Sequence, residues 1–457
     1  MTQERKQRVT SEKLRLAEIV GALSHALDLT DGQPAGHSVR CCFIGMHVGA
    51  AIGLPETAMS DLFYTLLLKD LGCSSNAARI CKLFVTDDHA FKRNVKLVDN
   101  SLPQLMNFIA ANTAVSSGLG ERLRTLVKVA MQGGSIDHDL IQTRCERGAV
   151  IARRMRFPEA VARGILDLDE HWDGRGQPLG RRGEAISIHA RIALLAQVVD
   201  VFNTTTGSAA AITEVRRRSG KWFDPRLVAA FCRVAEAPDF WSALAAPGLE
   251  RQVFELEPRS KVQPVDEALL DDIADGFAQV IDAKSPFTSG HSKRVALVTE
   301  LIATEMGMSP ARTRALVRSA LLHDIGKLGV STRILDKPGR LDESEWRAIQ
   351  RHPELGAGIL SRIDAFRGAA EVAANHHEKL DGSGYPRGLE ARDLNLETRI
   401  VTVADIFDAL TAERPYRPAM STVEALAIMR RDVGARLDAR CFDALVRSLG
   451  SLERIAA

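Results

Sequence analysis

One helical module is written twice in this chain, and that repeat constrains its fold more than any other feature of the sequence. GHSVR at 36–40 returns as GHSKRV at 290–295, and LLLKDLG at 66–72 returns as LLHDIGK at 321–327. Further on, DEHWDGRGQPLG at 169–180 pairs with HHEKLDGSGYPRGL at 376–389, and ARIALLAQVVDVF at 190–202 pairs with TRIVTVADIFDAL at 398–410. RRRSGKWFDPRL and RRDVGARLDARC close the two copies. His37 to Asp70 and His291 to Asp324 both span 33 positions, and Asp173 to Asp200 and Asp381 to Asp408 both span 27. Five matches in one order, two with identical spacing, indicate duplication. The first copy carries an insertion of about 47 residues over much of 75–140. The copies part near 250–264, where LEPRSKVQPVDE is charged and holds two prolines.

Helix signals dominate both copies. Ser309-Pro310 starts a helix expected to run to Gly326, and Asp342 with Glu345 and Ser421 with Glu424 have capping-box spacing. RQVFELEP at 251–258 is the best strand candidate. With 60 basic and 58 acidic residues the net charge is +2, so no global field draws in DNA, and an anionic ligand needs a local cluster. Seven cysteines without a CxxC pair argue against a disulfide framework or a zinc finger. The polar start and the lack of a ~20-residue apolar span lead to the expectation of a cytoplasmic protein with no membrane partner.

The chemistry gathers in the second copy. His291, His323, Asp324, His352, His376, His377 and Asp405 lie within a short stretch of chain, with Lys327 beside them. Neutral imidazole and carboxylate suit divalent first-row metals. Adjacent residues on a helix do not face the same way, so His323 and Asp324 at a helix end address two metals or bracket one. A carboxylate between two metals makes a hydrolytic site that polarises a phosphoryl oxygen and supplies hydroxide at neutral pH.

These motifs (HDIGK at 323–327, HPELG at 352–356, HHEKLDGSGYP at 376–386 and ADIFDALTAERPYRPA at 404–419) resemble those of HD-GYP domains, a subgroup of the HD metal-dependent phosphohydrolases. The resemblance covers about 265–447 and implies an all-α fold: two tandem HD-type bundles, the second of HD-GYP type. The expected partition is a degenerate domain over 1–250, a linker over 251–264 and a catalytic domain over 265–450. The implied activity is hydrolysis of a cyclic dinucleotide in bacterial second-messenger signalling, expected to be cyclic di-GMP yielding the linear dinucleotide, with onward cleavage to GMP left open. Other cyclic dinucleotides or nucleotides, and a non-catalytic signalling scaffold, stay open, as do a homodimer and signalling-protein partners.

By the same resemblance the metal ligands are His291, His323, Asp324, His352, His376, His377 and Asp405, with Asp324 as the bridge. Lys327 would lie near the attacking water or a substrate phosphate, and Arg414, Arg417 and Tyr385 would contact substrate. Three-metal members carry a glutamate four residues before the first histidine. Phe287 stands there, so two divalent ions, iron, manganese or similar, are expected.

The first copy has lost this set. His323 becomes Lys69, Lys327 becomes Cys73, His352 becomes Cys145, His376-His377 becomes Leu168-Asp169, and Asp405 becomes Gln197. Only His37 and Asp70 survive, and Lys69 would put an ammonium where a metal sat in the ancestral module. The expected role is packing support or dimerisation, with binding of a nucleotide or signal as the alternative. His171, Trp172 and Cys145 mark the former centre.

Overall fold

Helices of the first copy recur one by one in the second. Leu16–Thr30, His37–Ala51, Glu56–Leu68, Glu159–Leu166 and Ile188–Thr206 correspond to Glu267–Asp282, His291–Glu305, Pro310–Leu322, Arg367–Asn375 and Leu396–Thr411. The computed structural model describes residues 15–98, 102–113, 119–258, 265–413 and 417–456. Among these the fold is all-α, with isolated bridges such as Asp381 with Glu390 in place of strands.

Local chemistry explains most helix ends. Both expected capping boxes form, Asp342 with Glu345 and Ser421 with Glu424. Pro310 opens its helix, although the Ser309 side chain makes no capping bond. That helix ends at Leu322 rather than at Gly326, and a 3-10 turn follows at Ile325–Gly329. The cause is tight packing. A Cβ on Gly326 would lie 1.9 Å from the carbonyl oxygen of His352, so the chain passes that helix at backbone contact. Gly72 meets Arg144 in the same way in the first copy, at 1.8 Å.

Residues 251–258 do not form a strand. They fall largely within the helix Leu249–Glu255, whose buried Leu249 and Val253 stand four apart on one face. The alternation of Phe254 and Leu256 with Glu255 and Glu257 suggested β; the burial of Leu249 and the contact of Phe254 with Gly21 select helix. The apolar core runs without a break from Leu16 through Ile273 and Phe277 to Leu445, so the two copies share one interior. Gly276 lets Met155 approach within 2.7 Å of its would-be Cβ at the junction.

The insertion supplies helices Ala77–Phe84, Asp88–Val95 and Leu102–Asn112, with a small core of its own including Phe84, Phe91 and Phe108. Its Asp88 reaches the second copy. Oδ1 accepts from the backbone N–H of Thr332 at 2.9 Å, and Oδ2 lies 3.7 Å from Lys284 Nζ. Lys284 also donates to the carbonyl of Leu328 at 2.7 Å, next to Lys327. Among the described residues no helix is long and apolar enough to cross a membrane.

Candidate metal centre

His323 and Asp324 sit where the α-helix gives way to the 3-10 turn, and that break turns both side chains inward. Asp324 is 1% exposed and faces two groups of ligands at once. Its Oδ2 lies 3.4 Å from His291 Nε2 and 3.4 Å from His323 Nε2. Its Oδ1 lies 3.4 Å from His352 Nε2 and 3.6 Å from His376 Nε2. Asp405 Oδ1 closes the first group, 3.3 Å from His291 Nε2. His377 closes the second, within 4.8 Å of Asp324, His352 and His376. All seven expected ligands therefore meet in one buried cluster, with Asp324 between its halves.

The imidazoles are held with Nε2 facing inward. Nδ1 of His323, His352 and His376 bonds the carbonyls of Ala320, Ile349 and Ala373 at 2.7, 2.7 and 2.9 Å, three residues back along each helix. His291 Nδ1 instead meets Asp408 Oδ2 at 2.6 Å. Nε2 of His291, Nε2 of His323 and Oδ1 of Asp324 are buried without a hydrogen-bond partner. Unsatisfied atoms on both sides of Asp324 fit divalent metal, because leaving them empty is costly.

The electrostatics agree. Burial opposes ionisation of Asp324 and Asp405, but the facing histidines, joined at Asp324 by Lys327, hold both carboxyls well below the usual range. Burial keeps His352 and His377 neutral, and His376 falls to about 4. At His291 burial is outweighed by the facing carboxylates of Asp324, Asp405 and Asp408, which raise it to about 10. A proton there neutralises the carboxylates in the metal-free cluster; a cation would take its place.

Lys327 Nζ lies 2.6 Å from Asp324 Oδ2, beside the cluster. Tyr385 stacks on His377 with ring centroids 4.7 Å apart, and the partly exposed Trp346 stands 5.7 Å from Tyr385. Sequence reasoning missed Trp346, which lies outside every repeated motif. Arg417 donates to the carbonyls of Ala409 and Leu410 at 2.7 and 2.9 Å, capping the helix Leu396–Thr411. Arg414 lies outside the described residues. Phe287 lies in the 3-10 turn Pro286–Thr288, on the wall of a surface cavity of about 400 Å³ that Arg294 and Glu413 also line.

The supports under the cluster are the parts both copies keep. Asp408 holds His291 and Arg294 as Asp200 holds His37 and Arg40, with Nδ1 to Oδ2 at 2.6 Å in each case. Glu378 accepts the backbone N–H groups of Arg387 and Leu389, as Glu170 accepts those of Leu179 and Arg181. Both loops also carry a cis proline, Pro178 and Pro386. Sequence reasoning did not single out these supports; their retention in both an intact and a degenerate copy is the signal that could have found them. Replacing Asp408 by Asn should lower metal affinity about 10–100-fold with the fold intact, since it loosens His291 without removing it. Metal titration of the two proteins checks this, and equal affinities would contradict the supporting role.

In the first copy the ammonium of Lys69 contacts Asp70 Oδ2 with both side chains fully buried, as the sequence implied. Cys145 is a buried thiol 3.4 Å from Asp169, and burial pushes its pKa up. His171 lies at the former centre, as expected. It stacks on Trp222 at 4.2 Å, because the closing turn of the copy folds back over the loop and Trp172 N–H bonds the carbonyl of Trp222. Burial lowers His171 and His89 from 6.5 to about 4. Both histidines favour the fold as neutral rings, so their contribution is complete above about pH 6.5 and is lost as pH falls towards 4. Urea midpoints should fall steadily over that window in wild type and less steeply in a His171→Phe variant.

An HD domain family profile matches residues 99–227 and 276–441. The chain belongs to the HD domain family. Within it, the chain is 51% identical over 444 residues to 3'3'-cGAMP-specific phosphodiesterase 3 of Vibrio cholerae, covering 97% of this chain and 96% of that one. It is 41% identical over 181 residues to the cyclic di-GMP phosphodiesterase response regulator RpfG of Xanthomonas campestris pv. campestris, covering 39% of this chain and 48% of that one. The crystal structure of a cyclic GMP-AMP specific phosphodiesterase of V. cholerae superposes with a TM-score of 0.66 at 46% identity, covering 96% and 98% of the two chains. This HD protein is a metal-dependent phosphodiesterase of cyclic dinucleotides, of the HD-GYP type.

Proposed function

We propose that the substrate is 3'3'-cGAMP, opened to a linear dinucleotide, rather than the cyclic di-GMP expected from the motifs alone. The supporting observation is the 51% identity to a 3'3'-cGAMP-specific enzyme across both copies, whereas the likeness to RpfG covers 39% of this chain. Two metal ions fit the two groups of ligands that share Asp324, and Phe287 offers no carboxylate for a third. Iron and manganese suit this histidine-rich set. Bound metal supplies Lewis acidity towards the phosphate and a nucleophile at neutral pH.

The protein's own groups do the rest. Asp324 fixes the spacing of the two halves, and Asp408 orients His291. Lys327, already 2.6 Å from Asp324, would place positive charge where the phosphate gains negative charge. Tyr385, stacked on His377, is the surface on which a base or sugar would rest, with Trp346 at its edge. Arg414 and Arg417 would meet the phosphates, Arg417 by leaving the helix end it now caps.

The test is incubation of metal-loaded protein with 3'3'-cGAMP, cyclic di-GMP and cyclic di-AMP, resolving linear and mononucleotide products. Fastest turnover of 3'3'-cGAMP to a linear product is expected. Equal or faster turnover of cyclic di-GMP would overturn the substrate assignment, and accumulation of mononucleotides would overturn the stated product.

A further inference from the structure

The first copy keeps a cavity at the position of its lost metal centre. It has a volume of about 190 Å³ and is bordered by Cys73, Asp169 and Gln197, the counterparts of Lys327, His377 and Asp405. The replacements remove the ancestral chemistry: Lys327 gives way to a thiol and His377 to a carboxylate. Asp405 becomes an uncharged amide, and Asp169 is neutralised by Arg144 at ion-pair contact. Cations come from outside the ancestral set: Lys92 on the inserted helix, Lys96 just beyond it, and Arg175 from the loop.

Two carboxylates border the cavity, Asp31 and Asp169, against four cationic side chains. Lys96 contacts Asp31. Lys92 is buried, and its ammonium bonds only the carbonyls of Thr30 at 3.0 Å and Cys73 at 2.8 Å, groups without net charge. Arg175, 3.3 Å from Asp173, is 85% exposed at the rim and can swing inward. Within the lining itself cations outnumber carboxylates, with Asp173 beside Arg175 and Asp88 near Lys92 as further acids outside it.

The rest of the wall suits a flat ring. Ile80, Phe91, Leu194 and Val198 are apolar and buried, and the His171–Trp222 stack forms one side. Gln197 is 4% exposed, and its Oε1 has no hydrogen-bond partner. A buried amide oxygen at the edge of an apolar slot is an acceptor waiting for a ring N–H or amino group. The volume is below the ~300 Å³ at which pockets for drug-sized ligands begin, which excludes a whole cyclic dinucleotide and suits one base with its phosphate at the rim.

We propose that this cavity binds a purine nucleoside monophosphate, its base in the slot beside Trp222 and Gln197 and its phosphate between Lys96 and Arg175. This site is separate from the catalytic cluster. Its inserted wall is also the helix whose first residues, Asp88 and His89, hold Lys284 of the second copy.

Calorimetric titration of the metal-loaded full chain with GMP and AMP, using guanosine and inorganic phosphate as controls, tests the proposal. One saturable site per chain is expected for at least one of the two monophosphates, with each control at least about tenfold weaker. Arg175→Ala removes an exposed side chain and Gln197→Leu removes an unpaired amide, so both should melt like wild type. Each should weaken binding at least about tenfold, while Asp324→Ala should leave it unchanged. No saturable binding by wild type, or binding kept in both first-copy variants and lost in Asp324→Ala, would overturn it.

Discussion

Asp324→Ala should abolish bound metal and lower turnover of the cyclic dinucleotide by at least about 10³-fold, the scale of losing a group on which transition-state charge stabilisation depends. The reason is geometric. One carboxylate faces His291 and His323 through Oδ2 and His352 and His376 through Oδ1. Removing it takes a ligand from both halves and leaves Lys327 without its partner at 2.6 Å. Substitutions at His291 or His377 touch one half each and should leave partial metal content. Metal analysis of the purified variants, read beside product formation, separates these cases. A metal-free Asp324→Ala protein that still turns over at the wild-type rate would refute the dinuclear reading.

Lys69→Met should destabilise the protein by about 3–5 kcal/mol, the cost of leaving a buried carboxylate unpaired. Lys69 and Asp70 have no exposed side-chain surface, and Lys69 opposes the effect of burial on Asp70 to keep that carboxyl ionised. The ammonium thus does for Asp70 what metal would do for Asp324. The double variant Lys69→Met with Asp70→Leu removes both charges and should recover most of the loss, since apolar replacement of a buried pair is often neutral. Urea denaturation of the three proteins at pH 7 measures the difference. If the double variant is as unstable as Lys69→Met, the deficit comes from packing rather than from the uncompensated charge.

Most of the catalytic half was legible because metal chemistry restricts residue type as well as position. Histidine and aspartate gathered in one copy pointed to metal, and the resemblance to HD-GYP motifs named His291, His323, Asp324, His352, His376, His377 and Asp405 one by one as candidate ligands. The supporting residues were harder. Asp408 and Glu378 are ordinary acids in the string, and only their retention as Asp200 and Glu170 in the degenerate copy could have marked them. Trp346 and Trp222 carried no signal, since each reaches its partner ring from a distant part of the chain.

The sequence by itself determined the duplicated all-α framework, the candidate ligands of one copy and their replacement in the other, because helical periodicity and residue type are written locally. Tertiary structure decided what depends on approach between distant segments. Backbone contact at Gly326 ended the helix at Leu322 and turned His323 and Asp324 inward, and the two faces of Asp324 gave the cluster its halves. Only packing placed the inserted helix of the first copy over the former metal centre, where Lys92 and Lys96 line a cavity. Burial, charge balance and unpaired atoms are properties of that assembled space, and no single stretch of chain contains them.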